Sequence, residues 1–355
     1  MSVTVIAGGG TGGHLFPGLA VAVELQRAGA AVAWLGARRG LEATRVPALG
    51  VPLRLLAVTG AVGRSPLARA GAALRMPPAV LQAALFLLRR RAGAVLSVGG
   101  YASLPGALAA ALLGVPLVLQ EQNAVPGVAN RFLAPWASVI ACGFAEAVAA
   151  FPSLPARWTG NPVRAEFFAV PPPHLDPPGV LVLGGSQGSA FLNRVMPHAL
   201  AALPGARPRV LHQAGPRWEE EVRQRYAQAG IAADVVAFLE RPADALAQVA
   251  LVVARAGALT VTELAAARRA ALLVPFAAAA HEHQLANARA LAATGAAEVV
   301  VEAAATPEAL AAALSRLLVQ PEALRRRGEG GARLARADAA TEVARMVREA
   351  GGGAA

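Results

Sequence analysis

The chain contains no lysine: all 33 of its basic residues are arginine. A Walker-type nucleotide loop needs Gly-Lys-Ser/Thr, so that route to ATP is closed. Cysteine is nearly absent too. The single Cys142 can form no internal disulfide and no cysteine metal site, so it reads as a small core residue of a protein in a reducing compartment. Aspartate is missing from residues 1–160, which hold 13 Arg and four Glu, a net charge of +9. Residues 161–355 hold 20 Arg and 18 acidic residues, a net +2. A biased base composition explains arginine in place of lysine but not this asymmetry. A basic half beside a nearly neutral half suggests an acidic partner for the first half: nucleic acid, an anionic membrane face or a phosphorylated substrate. Aromatics make up only 5% of the chain, and no basic patch is interleaved with them, which disfavours nucleic acid. Charged residues are also few, 15% against 55% hydrophobic, which excludes a disordered chain.

Long hydrophobic runs are missing as well. Residues 92–120 carry no charge, but glycines and prolines from Gly93 to Pro116 break them up, whereas a spanning helix wants about 20 uninterrupted apolar residues. The stretch reads as strand, glycine loop, helix and strand, all buried. Met1–Ala7 has no basic leader, so no signal peptide is expected.

What is present is a repeated alternation. Continuously apolar runs at Val3–Ala7, Ala31–Leu35, Leu53–Leu56, Ala94–Val98, Leu117–Gln120 and Ser138–Ala141 suit parallel strands covered on both faces, with helices such as Pro17–Arg27 and Leu104–Leu113 between them. After a proline-rich stretch at 161–179 the pattern restarts. Strands are expected at Val180–Leu183, Arg209–His212, Asp234–Ala237, Leu251–Val253, Ala271–Val274 and Glu298–Val301. The expectation is an α/β protein of two Rossmann-like domains facing a central cleft. Residues 1–160 and 180–337 form the domains, 161–179 a linker, and 338–355 a C-terminal helix and frayed tail.

Three glycine loops follow expected strands: Gly8-Gly9-Gly10-Thr11-Gly12-Gly13-His14, Gly99-Gly100-Tyr101-Ala102-Ser103 and Gly184-Gly185-Ser186-Gln187-Gly188. Glycines let the backbone approach a ligand, and free N–H groups at a helix start attract phosphate. The spacing is not the dinucleotide G-x-G-x-x-G. His14 is the best general-base candidate, because histidine titrates near neutrality. Glu121 is second, as base or as orienter of the base. Glu263, one turn into the helix that follows Arg255-Ala256-Gly257, is placed to accept ribose hydroxyls or to satisfy the helix dipole. His281-Glu282-His283 has poor ligand spacing and no third ligand, so no metal site is read there. Residues Leu67–Arg91 form an apolar stretch edged by arginines. It suits an anionic membrane surface, through Leu85, Phe86, Arg89, Arg90 and Arg91, or equally a core helix with a basic end.

The motifs Gly9–His14, Gly99–Tyr101, Glu121-Gln122-Asn123, Gly160-Asn161-Pro162-Val163-Arg164, Gly184–Gly188 and Arg255–Thr260, in this order, resemble the MurG family of peptidoglycan glycosyltransferases. The resemblance implies a GT-B fold and an inverting transfer, without metal or cofactor, on the cytoplasmic face of the bacterial membrane. N-acetylglucosamine would pass from UDP-N-acetylglucosamine to lipid I, giving lipid II. It implies donor contacts at Ser186 and Arg164 for the phosphates, and at Ala258, Leu259, Thr260, Val261, Thr262 and Glu263 for the nucleoside. Leu239 would lie beside the uracil and Gln284 would hold sugar hydroxyls. Thr11, Gly12, Gly13 and Asn123 would contact the sugar, and Gly10, Gly99, Gly100 and Tyr101 the acceptor pyrophosphate. Two departures from the family pattern stand out. Gln120 replaces a frequent histidine, and 277–283 differ, with His283 beside Gln284. Two rivals follow: an enzyme of the same architecture acting on a soluble substrate, such as a UDP-N-acetylglucosamine 2-epimerase, and a non-catalytic nucleotide-sugar sensor.

Overall fold

The structure, a computed structural model, describes residues 2–38, 40–60, 65–176, 178–185, 187–205, 207–276 and 282–352. The side chains at 66–69 and of Glu282 also lie outside that description, as do Arg64, Ser186 and His281. The chain divides into two compact units. The first is Met1–Arg164 with Arg336–Ala355, the second Ala165–Ala335.

The first unit is built on a parallel sheet. Its strands are β1 (Val3–Ala7), β2 (Val32–Ala37), β3 (Leu53–Leu56), β4 (Ala92–Ser97), β5 (Leu117–Glu121), β6 (Val139–Cys142) and β7 (Ala156–Trp158), in the order β3-β2-β1-β4-β5-β6-β7. The central strands are mostly apolar, with Thr4, Ser97, Gln120 and Glu121 as buried polar exceptions, because helices cover both faces. The order reverses between β1 and β4, so the loops leaving these two strands flank a crevice at the sheet's carboxyl edge. Both loops are glycine-rich. β7 was not expected from sequence: it has three residues, two of them exposed, and too little apolar signal to read.

The second unit repeats the plan. Its strands are β8 (Val180–Leu183), β9 (Val210–Gln213), β10 (Ala233–Val236), β11 (Leu251–Ala254), β12 (Ala270–Leu273) and β13 (Ala297–Val299), in the order β10-β9-β8-β11-β12-β13. The switch point lies between β8 and β11. There the loop Gly184–Gly188 faces Arg255-Ala256-Gly257. Ser189 caps the following helix, Ala190–Ala201, by accepting from the Leu192 N–H.

Two expectations change. The first helix begins at Gly12 rather than Pro17, so Gly12, Gly13 and His14 make its first turn. Pro17, the sixth residue, lacks the N–H that would reach the Gly13 carbonyl, so the helix forgoes one bond there. The final helix, Ala339–Ala350, is not a separate tail. Val343, Met346 and Val347 are buried among Leu25, Val32 and Trp34 of the first unit. Each such burial contributes on the order of 2 kcal/mol.

Residues 66–90 form one 25-residue helix that contains Pro77-Pro78. Within Ala70–Arg90 an 18-residue window reaches a mean hydropathy of 1.4, so the helix is long and apolar enough by length and composition to cross a membrane. It nevertheless packs into the first unit through Ala72, Ala79, Ala83 and Leu87. The uncharged run at 92–120 is β4, the helix Leu104–Leu113 and most of β5, as expected.

Candidate functional site

His14 is the third residue of its helix, beside the crevice of the first sheet. Its Nδ1 lies 3.1 Å from the Val98 carbonyl oxygen. A carbonyl can only accept, so Nδ1 carries the hydrogen, and the lone pair sits on Nε2. The Gln122 amide donates to the same oxygen at 2.7 Å, which fixes its position. The ring lies against Gly100, where a Cβ would come within 2.8 Å of it. Burial pushes the His14 pKa below its usual 6.5. The Glu121 charge and the bond to Val98 oppose the shift without cancelling it. The ring is therefore neutral at neutral pH, in the tautomer a general base needs.

Glu121 is 1% exposed, at the end of β5. One carboxylate oxygen accepts from the Asn123 N–H at 2.8 Å and from its side-chain amide at 3.1 Å. The other accepts from Gly127 N–H at 3.0 Å and Asn130 Nδ2 at 2.8 Å. The carboxylate is turned onto its own loop and organises it. Below it Gln120, Gln122 and Asn161 bond to one another: Gln120 donates to Asn161 Oδ1, Asn161 to the Gln122 carbonyl, and Gln122 to Gln120 Oε1. Where the family often has histidine, Gln120 is thus a buried member of a polar network.

The second unit carries a pocket of about 570 Å³ at its switch point. Arg255 reaches into its lining and is held from every side. Its Nε donates to Ser189 Oγ at 3.0 Å and its Nη1 to the Val274 carbonyl at 3.1 Å. It pairs with Glu302 at 2.5 Å, and the rings of Phe191 and Phe276 each lie 5.2 Å from its guanidinium. The guanidinium, its charge paired with Glu302, lies beside a glycine loop and two helix starts, whose free N–H groups favour anions. Under the loop, His212 joins Tyr226 (2.9 Å) to Asn193 (3.1 Å), and the Asn193 amide donates to the Ala214 carbonyl at 2.9 Å. Burial pushes the His212 pKa down to about 3, so it stays neutral. Tyr226 donates to Nδ1, and the hydrogen on Nε2 goes to Asn193.

Comparison with known proteins decides the kinship. The N-terminal domain model of glycosyltransferase family 28 matches residues 4–142 and the C-terminal domain model residues 179–343. A protein of Stutzerimonas stutzeri named UDP-N-acetylglucosamine--N-acetylmuramyl-(pentapeptide) pyrophosphoryl-undecaprenol N-acetylglucosamine transferase is 46% identical over 350 residues, 97% of this chain and 98% of the relative. One of the same name from Halorhodospira halophila is 44% identical, covering 97% of each. The crystal structure of Acinetobacter baumannii MurG superposes with a TM-score of 0.80 at 32% identity, covering 98% of this chain and all of that one.

The chain belongs to the MurG family.

It is accordingly a glycosyltransferase with the two-sheet architecture of the GT-B class. Within this MurG-family chain the expected residues fall into two groups. In the first unit His14, Gly99, Gly100 and Tyr101 gather around the β1 and β4 loops, and Asn123 is tied to Glu121. Thr11 caps the first helix in extended conformation, ahead of Gly12 and Gly13. Arg164 also lies in the first unit, its guanidinium 5.3 Å from the Phe16 ring. In the second unit Thr260 and Gln284 line the pocket, and Gln284 accepts from the Phe276 N–H at 3.0 Å. Ala258, Leu259, Val261, Thr262 and Glu263 share the helix Ala258–Ala266 with Thr260, but they do not line the pocket, nor does Leu239. Ser186 lies outside the described residues.

Gly10, expected at the acceptor pyrophosphate, has its amide bonded to the buried Glu42 carboxylate. Phe86, expected at the membrane surface, is half-buried against the core with Arg90 above its ring at 5.5 Å. Sequence reasoning missed Glu42, Asn130, Asn193, Phe191, Phe276 and Glu302. Asn130 and Asn193 had a local signal, each an amide inside an apolar helical run. Among the described residues no three His, Cys, Asp or Glu side chains lie close enough together to hold a metal ion.

Proposed function

We propose that this chain transfers N-acetylglucosamine from UDP-N-acetylglucosamine to the 4-hydroxyl of the muramic acid of lipid I, forming lipid II for peptidoglycan. The observation that carries the reading is the end-to-end match with relatives named for that transfer. The acceptor oxygen attacks the anomeric carbon as the bond from that carbon to the UDP oxygen breaks, inverting the configuration. The acceptor proton passes to His14 Nε2, the lone pair left free by the bond from Nδ1 to Val98. Glu121 orients the Asn123 loop and raises the basicity of His14 by its charge. In the second unit the glycine loop with Ser186, the helix starts after Ser189 and Gly257, and Arg255 receive the diphosphate, whose charge grows as it leaves. Arg164 adds a further cation for it. Thr260 and Gln284 line the pocket that receives the diphosphate and sugar, and the nucleoside extends beyond that lining to Glu263, on the ribose, and Leu239, by the uracil. Thr11, Gly12, Gly13, Gly99, Gly100 and Tyr101 serve sugar and acceptor. No cofactor enters these steps.

The test is UDP release from UDP-N-acetylglucosamine with and without a lipid I analogue, in the presence of chelator. Release that requires the acceptor and ignores the chelator is expected. Release without acceptor would favour a 2-epimerase-like or hydrolytic activity, and no release at all a nucleotide-sugar sensor.

The same reading includes a membrane surface, at the cytoplasmic face of the bacterial plasma membrane. On the helix Pro66–Arg90, Leu74, Leu81, Leu85 and Leu88 are 78%, 62%, 44% and 59% exposed and share one face, while Ala72, Ala79, Ala83 and Leu87 are buried on the other. A second apolar face ending in Arg89, Arg90 and Arg91 suits an interfacial helix on anionic lipid. At about 1 kcal/mol for each arginine near the surface, reversing all three to Glu is expected to weaken binding to phosphatidylglycerol vesicles by a hundredfold or more. Added salt should act in the same direction, with UDP affinity within twofold of the parent. Vesicle binding indifferent to both charge and salt would remove this surface.

A further inference from the structure

Glu42 is an anomaly. It is a fully buried carboxylate in the connection after β2, outside every motif that marks the site. Burying a carboxylate is costly unless hydrogen bonds replace its water. Here the donors are backbone amides: Gly10 N–H lies 3.1 and 3.0 Å from the two oxygens, and Ala37 N–H 2.9 Å from one of them. The surrounding chain is cut back to make room. A Cβ on Gly9, Gly36 or Gly40 would lie within 3 Å of Glu42 side-chain atoms. Gly9 and Gly10 take φ of +141° and +85°, conformations that only glycine holds readily. One residue earlier, the Trp34 indole donates to the Gly8 carbonyl at 2.9 Å. On its far side, Gly10 is closed by Tyr101, whose hydroxyl a Cβ would meet at 2.9 Å. The path of the chain from Gly8 to Gly10 is thus set from beneath, and Thr11 and the helix bearing His14 follow directly.

We propose that Glu42 is a positioning residue for the transfer: its buried carboxylate folds Gly9 and Gly10 so that the next helix starts at Gly12 and aims His14 at the acceptor. The inference rests on the reading of His14 as base. Glu42 itself touches no reacting atom and acts through the loop. Its influence therefore falls on turnover, and the donor pocket of the second unit does not feel it. A carboxylate accepts every N–H aimed at it, whereas an amide of the same shape turns a donor toward one of them.

The experiment compares Glu42→Gln with the parent enzyme for kcat, donor KM, UDP affinity and thermal unfolding. A drop in kcat of between about tenfold and a hundredfold is expected, the usual cost of a small misplacement of a catalytic group. UDP affinity should stay within twofold and the unfolding midpoint within a few degrees, whereas donor KM can shift with turnover because Thr11, Gly12 and Gly13 follow the displaced segment. Gly9→Ala pushes the same segment from the other side and should give the same split, which keeps the test decisive if Glu42→Gln fails to fold. Parent-level kcat in either folded variant overturns the proposal, as does a fall in UDP affinity that matches the fall in turnover. A parent enzyme with no acceptor-dependent UDP release overturns the functional reading instead, a distinguishable failure.

Discussion

Replacing His14 by alanine is expected to lower turnover by about 10²- to 10⁴-fold, the usual contribution of a positioned general base, while UDP affinity stays unchanged. The direction of its pKa shift sharpens the test. Burial lowers the pKa, so the basic, neutral form persists to pH values below the ordinary 6.5. The rate should therefore be flat through neutrality and fall as pH drops through that lowered value. An acid limb centred above 6.5 would contradict the geometry. Glu121 provides a second arm, because its negative charge raises the His14 pKa. Glu121→Gln removes that charge, so the acid limb should move to still lower pH while substantial activity remains. Were Glu121 the base, the same change would abolish turnover, and His14→Ala would leave it within threefold of the parent. UDP affinity, measured alongside, reports that the second unit is intact in both variants.

His14 was legible in the sequence as the candidate base because its surroundings are local. A strand, a run of glycines and a histidine lie within a dozen residues, and a sheet's switch point turns such a loop toward a ligand. Most strands were legible for a similar reason: a parallel strand covered on both faces is apolar at every position. The long-range contacts that hold His14 and its loop were not legible. Glu42 meets Gly10 across 32 positions, and Asn161 meets Gln120 across 41. Nothing near Glu42 distinguishes a fully buried carboxylate from the solvated one that such a sequence normally denotes. The helix at 66–90 illustrates a different limit. It is apolar on two faces, one packed and one exposed, so periodicity alone could not separate a core helix from a membrane-facing one. The start of the first helix was misplaced because glycine and proline both argue against a helix. Gly12 and Gly13 are helical here because they open it, where the intrahelical bonds they would weaken do not yet exist.

Gly188→Ala is expected to lower UDP affinity by on the order of a hundredfold, through displacement of a preorganised loop. Gly188 has φ of +75°, and a Cβ there would drive into the Ala214 carbonyl and crowd Gly215. Ala214 cannot step aside. Its carbonyl accepts from Asn193 at 2.9 Å, its N–H donates to the Val236 carbonyl at 2.9 Å, and Asn193 is held by His212, which Tyr226 fixes in turn. The yielding partner must be the loop Gly184–Gly188, the segment assigned to the donor's diphosphate. Gly185→Ala is the control that isolates this cause. Gly185 also has positive φ, +82°, but a Cβ there meets nothing within 4 Å. Backbone strain alone costs about 1–2 kcal/mol at such a position, so Gly185→Ala should weaken UDP by less than about thirtyfold even if all of that strain falls on the bound state. Titration calorimetry on both variants separates the two effects. Equal losses would mean that left-handed strain, not the close approach to Ala214, governs the loop. Parent-level affinity in folded Gly188→Ala would mean that the diphosphate is not held by this loop at all, and the donor assignment would shift to the Arg255 side of the pocket.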